Sequence, residues 1–243
     1  MSDIAVIFVM VRPAYPNAAA GKPYNKIDNR EVFMRTVELY AKRDQVKQRV
    51  VCVLPDEMQR INEKYSAHLA FAGVSVTAGG PDWFGAVARG LEKLKPEIST
   101  VFIHDACRPA IPYTLLDALE AAVITTGAAA PVSPVTGSLV RVKNNQISAA
   151  VDGNGIYAVG SPQIFRKDVL LEAYQRRAEL KTAPADDAAL VRACGATVTT
   201  VVDWSLNLRV DSEDAVKLAT DAVKHLPKPR STAAFTPFEE AQW

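Results

Sequence analysis

The sequence predicts an α/β fold: a doubly wound, mostly parallel sheet with an inserted antiparallel β-arm. Three observations lead to it. Ile4 to Val11 is an unbroken apolar run rich in β-branched residues, the mark of a strand covered on both faces. Comparable runs at Arg49 to Leu54 and Thr100 to Ile103 alternate with segments of helical period, the rhythm of parallel strands joined by crossover helices. That rhythm then breaks at Leu139 to Val142 and Gln146 to Val151, which read as a hairpin turning at Lys143-Asn144-Asn145.

In chain order, the strand from Ile4 is followed by Arg12-Pro13-Ala14-Tyr15-Pro16-Asn17, where two prolines impose a loop. Asn29 to Lys42 places Val32, Phe33, Thr36, Val37 and Tyr40 at helical spacing, and the strand from Arg49 ends before Pro55. A helix over Asp56 to Ala72, a strand over Val74 to Thr77, the pair Gly79-Gly80, and a helix over Asp82 to Leu94 lead to the strand from Thr100. Beyond it come a helix over Pro112 to Thr126, a strand over Ala128 to Pro131 and the hairpin. Helices over Lys167 to Glu179, Ala185 to Ala193 and Ser212 to Lys224 follow, with a late strand at Thr197 to Val202. No linker divides the chain, so residues 1–225 read as one domain with an arm at about 136–153. Residues 226–243, with three prolines, read as a loosely ordered tail.

Composition narrows the function classes. Of 243 residues 49% are apolar and 23% charged, with 28 Lys and Arg against 27 Asp and Glu. A near-neutral balance supplies no field to attract nucleic acid or an anionic membrane, so phosphate recognition has to come from a local site. Cys52, Cys107 and Cys194 lack metal or disulfide spacing and read as reduced core thiols. The N-terminus has neither the basic region nor the apolar length of a targeting segment, which leads to a cytoplasmic expectation. No Gly-x-Gly-x-x-Gly follows the first strand, which argues against a dinucleotide-dependent oxidoreductase.

The strongest local signal is Val101-Phe102-Ile103-His104-Asp105-Ala106-Cys107-Arg108-Pro109, a strand running directly into an acid, then a cation and a proline. Ligands of doubly wound sheets bind beyond the C-terminal strand ends. A carboxylate there suits the divalent cation that travels with a nucleoside triphosphate, and Arg108 suits a phosphate. An ordinary turn held by its own Asp and Arg fits the spacing equally well.

This segment resembles the His-Asp-Ala-Ala-Arg-Pro motif of the 2-C-methyl-D-erythritol 4-phosphate cytidylyltransferase family. The resemblance runs from about residue 4 to 220 through Lys22-Pro23-Tyr24, Gly79-Gly80, Pro134-Val135, Asn154-Gly155-Ile156-Tyr157, Ser161-Pro162-Gln163, Asp186-Asp187-Ala188 and Asn207-Leu208-Arg209. It implies a Rossmann-like nucleotidyltransferase fold and a reaction in which CTP and a polyol phosphate give a CDP-polyol and pyrophosphate. It further implies Asp105 as the Mg²⁺ ligand, Lys22 and Arg209 as catalytic cations, and Arg12, Gly79, Gly80 and Asp105 on the nucleotide. Arg108, Ser138 and Ser161 would lie on the acceptor, a polyol or sugar phosphate, and a homodimer would form through the arm.

The chain also departs from the family pattern. The glycine-rich first loop is replaced by Val9-Met10-Val11-Arg12-Pro13-Ala14-Tyr15, Trp83 and Ala86 stand for an Arg and a Ser, and Gly153 stands for the arm's phosphate-binding Arg. These changes keep a second reading alongside the first, a nucleotide-binding or non-catalytic relative of the same lineage.

Overall fold

The computed structural model describes residues 3–226. Strand β1 (Ile4–Val9) is buried along its whole length and lies at the centre of the sheet, parallel to β4 (Val46–Val53) on one side and β6 (Thr100–Asp105) on the other. Between β1 and β4 come a two-residue hairpin, β2 (Lys26–Ile27) and β3 (Arg30–Glu31), and helix α1 (Val32–Glu38). The single helix expected over Asn29 to Lys42 is therefore shorter. Asp28 and Asn29 both adopt positive φ, which closes a tight turn ahead of the helix and spends its first residues on strand pairing.

The helix expected over Asp56 to Ala72 is likewise divided, into α2 (Met58–Lys64) and α3 (Ser66–Phe71) behind a short 3₁₀ turn, with the break at Tyr65. Tyr65 packs its ring against Tyr24 and Phe33. Edge strand β5 (Val74–Ala78) then pairs with β4 and leads through Gly79-Gly80 into α4 (Trp83–Leu91), which Asp82 caps by accepting from Gly85 N at 2.7 Å.

After β6 come α5 (Tyr113–Thr126), β7 (Ala128–Pro134), the arm strands β8 (Leu139–Lys143) and β9 (Gln146–Val151), β10 (Tyr157–Val159) and β11 (Gln163–Arg166). Helices α6 (Lys167–Arg176) and α7 (Asp187–Ala193), strand β12 (Thr199–Val202) and α8 (Glu213–Lys224) complete the fold. The backbone of the sheet runs β10-β7-β11-β6-β1-β4-β5, with β12 parallel to β7. Strand β11 is inserted antiparallel between β6 and β7, and β10 is antiparallel to β7. The sheet is thus mixed and mostly parallel, as the sequence predicts, with two short antiparallel strands it did not announce. The hairpin forms its own two-stranded unit, Asn144 and Asn145 at its tip taking positive φ.

Two apolar layers flank the sheet. One joins Phe8, Phe33, Tyr40, Phe102 and Leu116; the other joins Ile7, Trp83, Phe84, Phe165 and Leu190. Cys52 and Cys107 are buried and Cys194 is half-buried, all as free thiols. No helix among the described residues is long and apolar enough to cross a membrane. The tail expected over 226–243 falls, beyond Leu226, outside the described residues.

Candidate active site at the end of β6

The site begins with a buried histidine. His104 is fully enclosed, bonds Tyr40 through Nδ1 at 2.9 Å and reaches the Arg108 carbonyl through Nε2 at 3.2 Å. Burial above all pushes its pKa down to about 3, so it is a neutral strut that shapes the turn after β6 rather than a proton carrier. The turn carries Asp105, which is 3% exposed. Its Oδ1 accepts from the Cys107 backbone N–H at 2.9 Å, and its Oδ2 accepts from Arg209 Nε at 2.6 Å. Neither oxygen is left without a partner, yet each keeps a lone pair.

Arg209 is itself enclosed, with its side chain 6% exposed. It donates a further bond from Nη1 to the Ala19 carbonyl at 2.9 Å and lies 3.7 Å from Asp211. It therefore ties the loop after β1 to the end of β6. The loop is fastened a second time where Lys22 N donates to the Val210 carbonyl at 2.9 Å, while Val210 N donates to the Cys107 carbonyl. Gly21 makes this close approach feasible, because a Cβ there would stand 2.4 Å from Cys107 Sγ and 3.0 Å from Arg209 Nη2. Burial and then the Asp105 charge hold the Cys107 thiol protonated, well above its ordinary pKa, so it serves as packing.

Arg108 and Ser161 complete the pocket over Asp105. Arg108 Nη1 donates to the carbonyl and side-chain oxygens of Asn207 at 2.8 and 3.2 Å, which leaves its other N–H groups for the cavity. Ser161 Oγ accepts the Asp105 backbone N–H at 2.9 Å and keeps its own proton to donate. Pro13, Ala14, Tyr15, Trp83, Gln163 and Asp186 form the remaining walls.

A second, larger cleft of about 750 Å³ adjoins this pocket and shares Pro13, Ala14 and Trp83 with it. Trp83 is held there by two neighbours. Its indole Nε1 donates to Asp187 Oδ2 at 2.8 Å, and the Tyr174 hydroxyl donates to Asp187 Oδ1 at 2.5 Å. Asp187 is 1% exposed, and burial raises its pKa to about 6 against the pull of these two donors.

The structure gathers Asp105, Arg108, Ser161 and Arg209 at one strand end. Exposed Lys22 lies on the same loop and engages by its backbone. Arg12 lines the outer cleft. Gly79 and Gly80 serve close packing: a Cβ on Gly79 would meet Ala86, and one on Gly80 would meet Gly85, so they seat β5 on the start of α4. Ser138 is exposed just ahead of the arm. The sequence offered no periodic or spacing signal for Tyr174 and Arg177, which only the packing of α6 against α4 brings to the cleft. Asp187 sat in a motif, yet its role as the indole's acceptor depends on a contact with Trp83, far off in the chain.

Among the described residues there is no cluster of three or more His, Cys, Asp or Glu side chains able to hold a metal. Of the two carboxylates on the pocket, Asp186 caps α7 by accepting from Ala189 N at 2.7 Å, and Asp105 at the strand end offers the other to a cation. That suffices for Mg²⁺ arriving on a triphosphate, which takes one or two protein oxygens, provided Arg209 yields Oδ2.

Comparison with known proteins places the chain beside one enzyme family. A family model described as 2-C-methyl-D-erythritol 4-phosphate cytidylyltransferase matches residues 16–225. The chain is 35% identical over 182 residues to a 2-C-methyl-D-erythritol 4-phosphate cytidylyltransferase of Frankia casuarinae, covering 74% of this chain and 65% of that protein. It is 26% identical over 223 residues to a protein of that name from Alkaliphilus metalliredigens, covering 88% and 91%. The crystal structure of 2-C-methyl-D-erythritol 4-phosphate cytidylyltransferase from Thermus thermophilus superposes with a TM-score of 0.73 at 25% identity, covering 92% of this chain and 100% of that one.

Proposed function

The chain belongs to the 2-C-methyl-D-erythritol 4-phosphate cytidylyltransferase family, and from that premise we propose that its Asp105 pocket transfers CMP from CTP to 2-C-methyl-D-erythritol 4-phosphate with release of pyrophosphate, a step of isoprenoid precursor synthesis. The carrying observation is the convergence of Asp105, Arg108, Ser161 and Arg209 beyond the C-terminal end of β6, where a doubly wound sheet binds its ligands.

The chemistry asks for alignment and neutralised charge. An oxygen of the acceptor phosphate attacks the α-phosphorus in line, forming one P–O bond while the bond to the β-phosphate oxygen breaks, and pyrophosphate leaves with the electron pair. Arg108, fixed through Asn207, offers its free N–H groups to a phosphate, and the Ser161 hydroxyl donates beside it. Arg209 and Lys22 provide the charge that offsets the two approaching anions. Bound Mg²⁺, held by Asp105, would neutralise charge on the triphosphate. Arg209 would then turn from Asp105 toward phosphate, keeping its loop contact at Ala19.

The arm supports a homodimer. Val140, Val142 and Ile147 are 40%, 64% and 72% exposed, and Ile156, Tyr157 and Val159, beyond the arm in the chain, are exposed as well. An extended hairpin that presents such side chains on both strands is suited to a second copy of the chain.

The test of turnover is pyrophosphate release from CTP and 2-C-methyl-D-erythritol 4-phosphate with Mg²⁺, repeated with other polyol and sugar phosphates. Product formation that Asp105→Ala abolishes is the expected result; folded protein that turns over no pair overturns it. A nucleotide-binding relative without turnover is the second reading. It is favoured by Pro13, which offers no N–H to a phosphate, and by the engagement of Arg209 with Asp105. Measured turnover rejects it.

A further inference from the structure

A second carboxylate stands at a strand end on the Asp105 side of the sheet. Strand β12 runs parallel to β7 and ends at Val202. Because β11 is antiparallel to both β6 and β7, the strands β6, β7 and β12 share one direction, and Asp203 emerges on the same edge as Asp105. Its backbone N–H is anchored on the Val132 carbonyl at 2.9 Å.

The Asp203 carboxylate faces donors. Oδ1 accepts the Trp204 N–H at 2.8 Å, and Asn207 Nδ2 donates to Oδ1 and Oδ2 at 2.8 and 3.0 Å. Gly160 leaves the room for this, since a Cβ there would stand 2.4 Å from Asp203 Oδ2.

Asn207 lies between this carboxylate and the cation of the pocket. Its Nδ2 also donates to the Ser161 carbonyl at 2.8 Å, while its backbone carbonyl and Oδ1 accept from Arg108 Nη1 at 2.8 and 3.2 Å. The amide can point only one way. Reversed, its oxygen would face three oxygens and its NH₂ would face the guanidinium.

An interposed amide has an electrostatic result. A carboxylate placed directly on Arg108 would neutralise it at contact range, as Asp105 does for Arg209 at 2.6 Å. Through Asn207 the orientation is passed on by neutral acceptors, and Arg108 forms no ion pair among the described residues. Its remaining N–H groups thus keep a full charge for a phosphate.

We propose that Asp203 is a positioning residue for the acceptor: through Asn207 it holds the Arg108 guanidinium in the orientation that receives the acceptor phosphate. The inference rests on reading the Asp105 pocket as the site of nucleotidyl transfer, with Arg108 on the acceptor.

The experiment is calorimetric titration of the full chain with 2-C-methyl-D-erythritol 4-phosphate and, separately, with CTP. It uses wild type, Asp203→Ala, Asp203→Asn, Arg108→Gln and the double variant Arg108→Gln with Asp203→Ala. Thermal unfolding checks that each is folded; Gly160→Ala, which crowds Oδ2 from the opposite side, takes the place of Asp203→Ala should that variant not fold. Asp203→Ala should weaken acceptor binding about fivefold and leave CTP affinity unchanged. Asp203→Asn, which still offers Asn207 one oxygen, should recover part of the loss. In the Arg108→Gln background the Asp203→Ala change should have no effect, a result that general loosening of the fold would not produce.

Folded Asp203→Ala with wild-type acceptor affinity overturns the proposal. So does a loss of the same size in the Arg108→Gln background, an equal loss for CTP, or wild type that binds no acceptor. Turnover is measured separately. Protein that binds the acceptor through Arg108 and Asp203 but forms no product upholds the positioning role and overturns the proposed reaction.

Discussion

Arg209 Nε donates to Asp105 Oδ2 at 2.6 Å across a contact in which the two side chains are 6% and 4% exposed. An ion pair this deep is consequential because each charge depends on the other. Arg209→Ala strands a buried carboxylate and should cost about 3–5 kcal/mol of stability. Replacing both members together, Arg209→Met with Asp105→Asn, should cost less than either single change. Urea unfolding of Arg209→Met, Asp105→Asn and the double variant checks this; costs that simply add would mean the pair is uncoupled.

Asp187 gives a pH signature. Its pKa is raised by burial to about 6, above the unfolded value of about 3.9, so the folded state holds the proton more tightly. The associated stability is fully present below about pH 4 and is lost as the pH climbs through 6. Unfolding experiments at pH 4.5 and 7 should therefore show wild type losing a stability increment, on the order of 2–3 kcal/mol, that Asp187→Asn does not lose. Because Asp187 accepts from the Trp83 indole, tryptophan emission should also titrate near pH 6 in wild type and stay flat in the variant.

Gly21 answers for the fit of the loop. A Cβ there meets Cys107 Sγ at 2.4 Å, so Gly21→Ala should destabilise the protein by about 1–3 kcal/mol and weaken CTP binding by displacing the Lys22 segment. Adding Cys107→Ala removes the obstructing sulfur and should restore part of the loss. A double variant no better than the single would show that Arg209 Nη2, also within 3.0 Å, is the governing clash.

The arm is tested by association. Charges at Val142 and Ile147, which face one another across the hairpin, should disrupt a dimer without unfolding the domain. Sedimentation at micromolar concentration should give a dimer for wild type and a monomer for Val142→Asp with Ile147→Asp. A wild-type monomer would remove the assembly from the proposal.

Much of the sheet was legible because its parallel strands are long apolar runs: β1, β4 and β6 stand out from Ile4, Arg49 and Thr100 onward. Strands β10 and β11 were not, since three or four residues such as Tyr157–Val159 and Gln163–Arg166 are too few to display a period. The hairpin before α1 did carry a signal, the Asp28-Asn29 pair, but the helical spacing from Val32 onward masked its turn chemistry.

At the site, Asp105 and Arg108 were readable from the strand end, and Lys22 and Arg209 from resemblance to a family. Their relations were not. The Asp105–Arg209 bond and the Trp83–Asp187 bond each join residues about a hundred positions apart, and only the closed sheet brings them together.

The placement of β11 also bears on how the chain is made. It fills the slot between β6 and β7, so a chain emerging from the ribosome exposes the apolar edge of β6 until everything from Ala106 to Pro162 has been synthesised. At about 5–20 residues per second this lasts for several seconds. For that interval a nascent half-sheet, complete from β5 to β6, presents an open hydrogen-bonding edge to solvent, and the same strand that later walls the Asp105 pocket is the one that closes it.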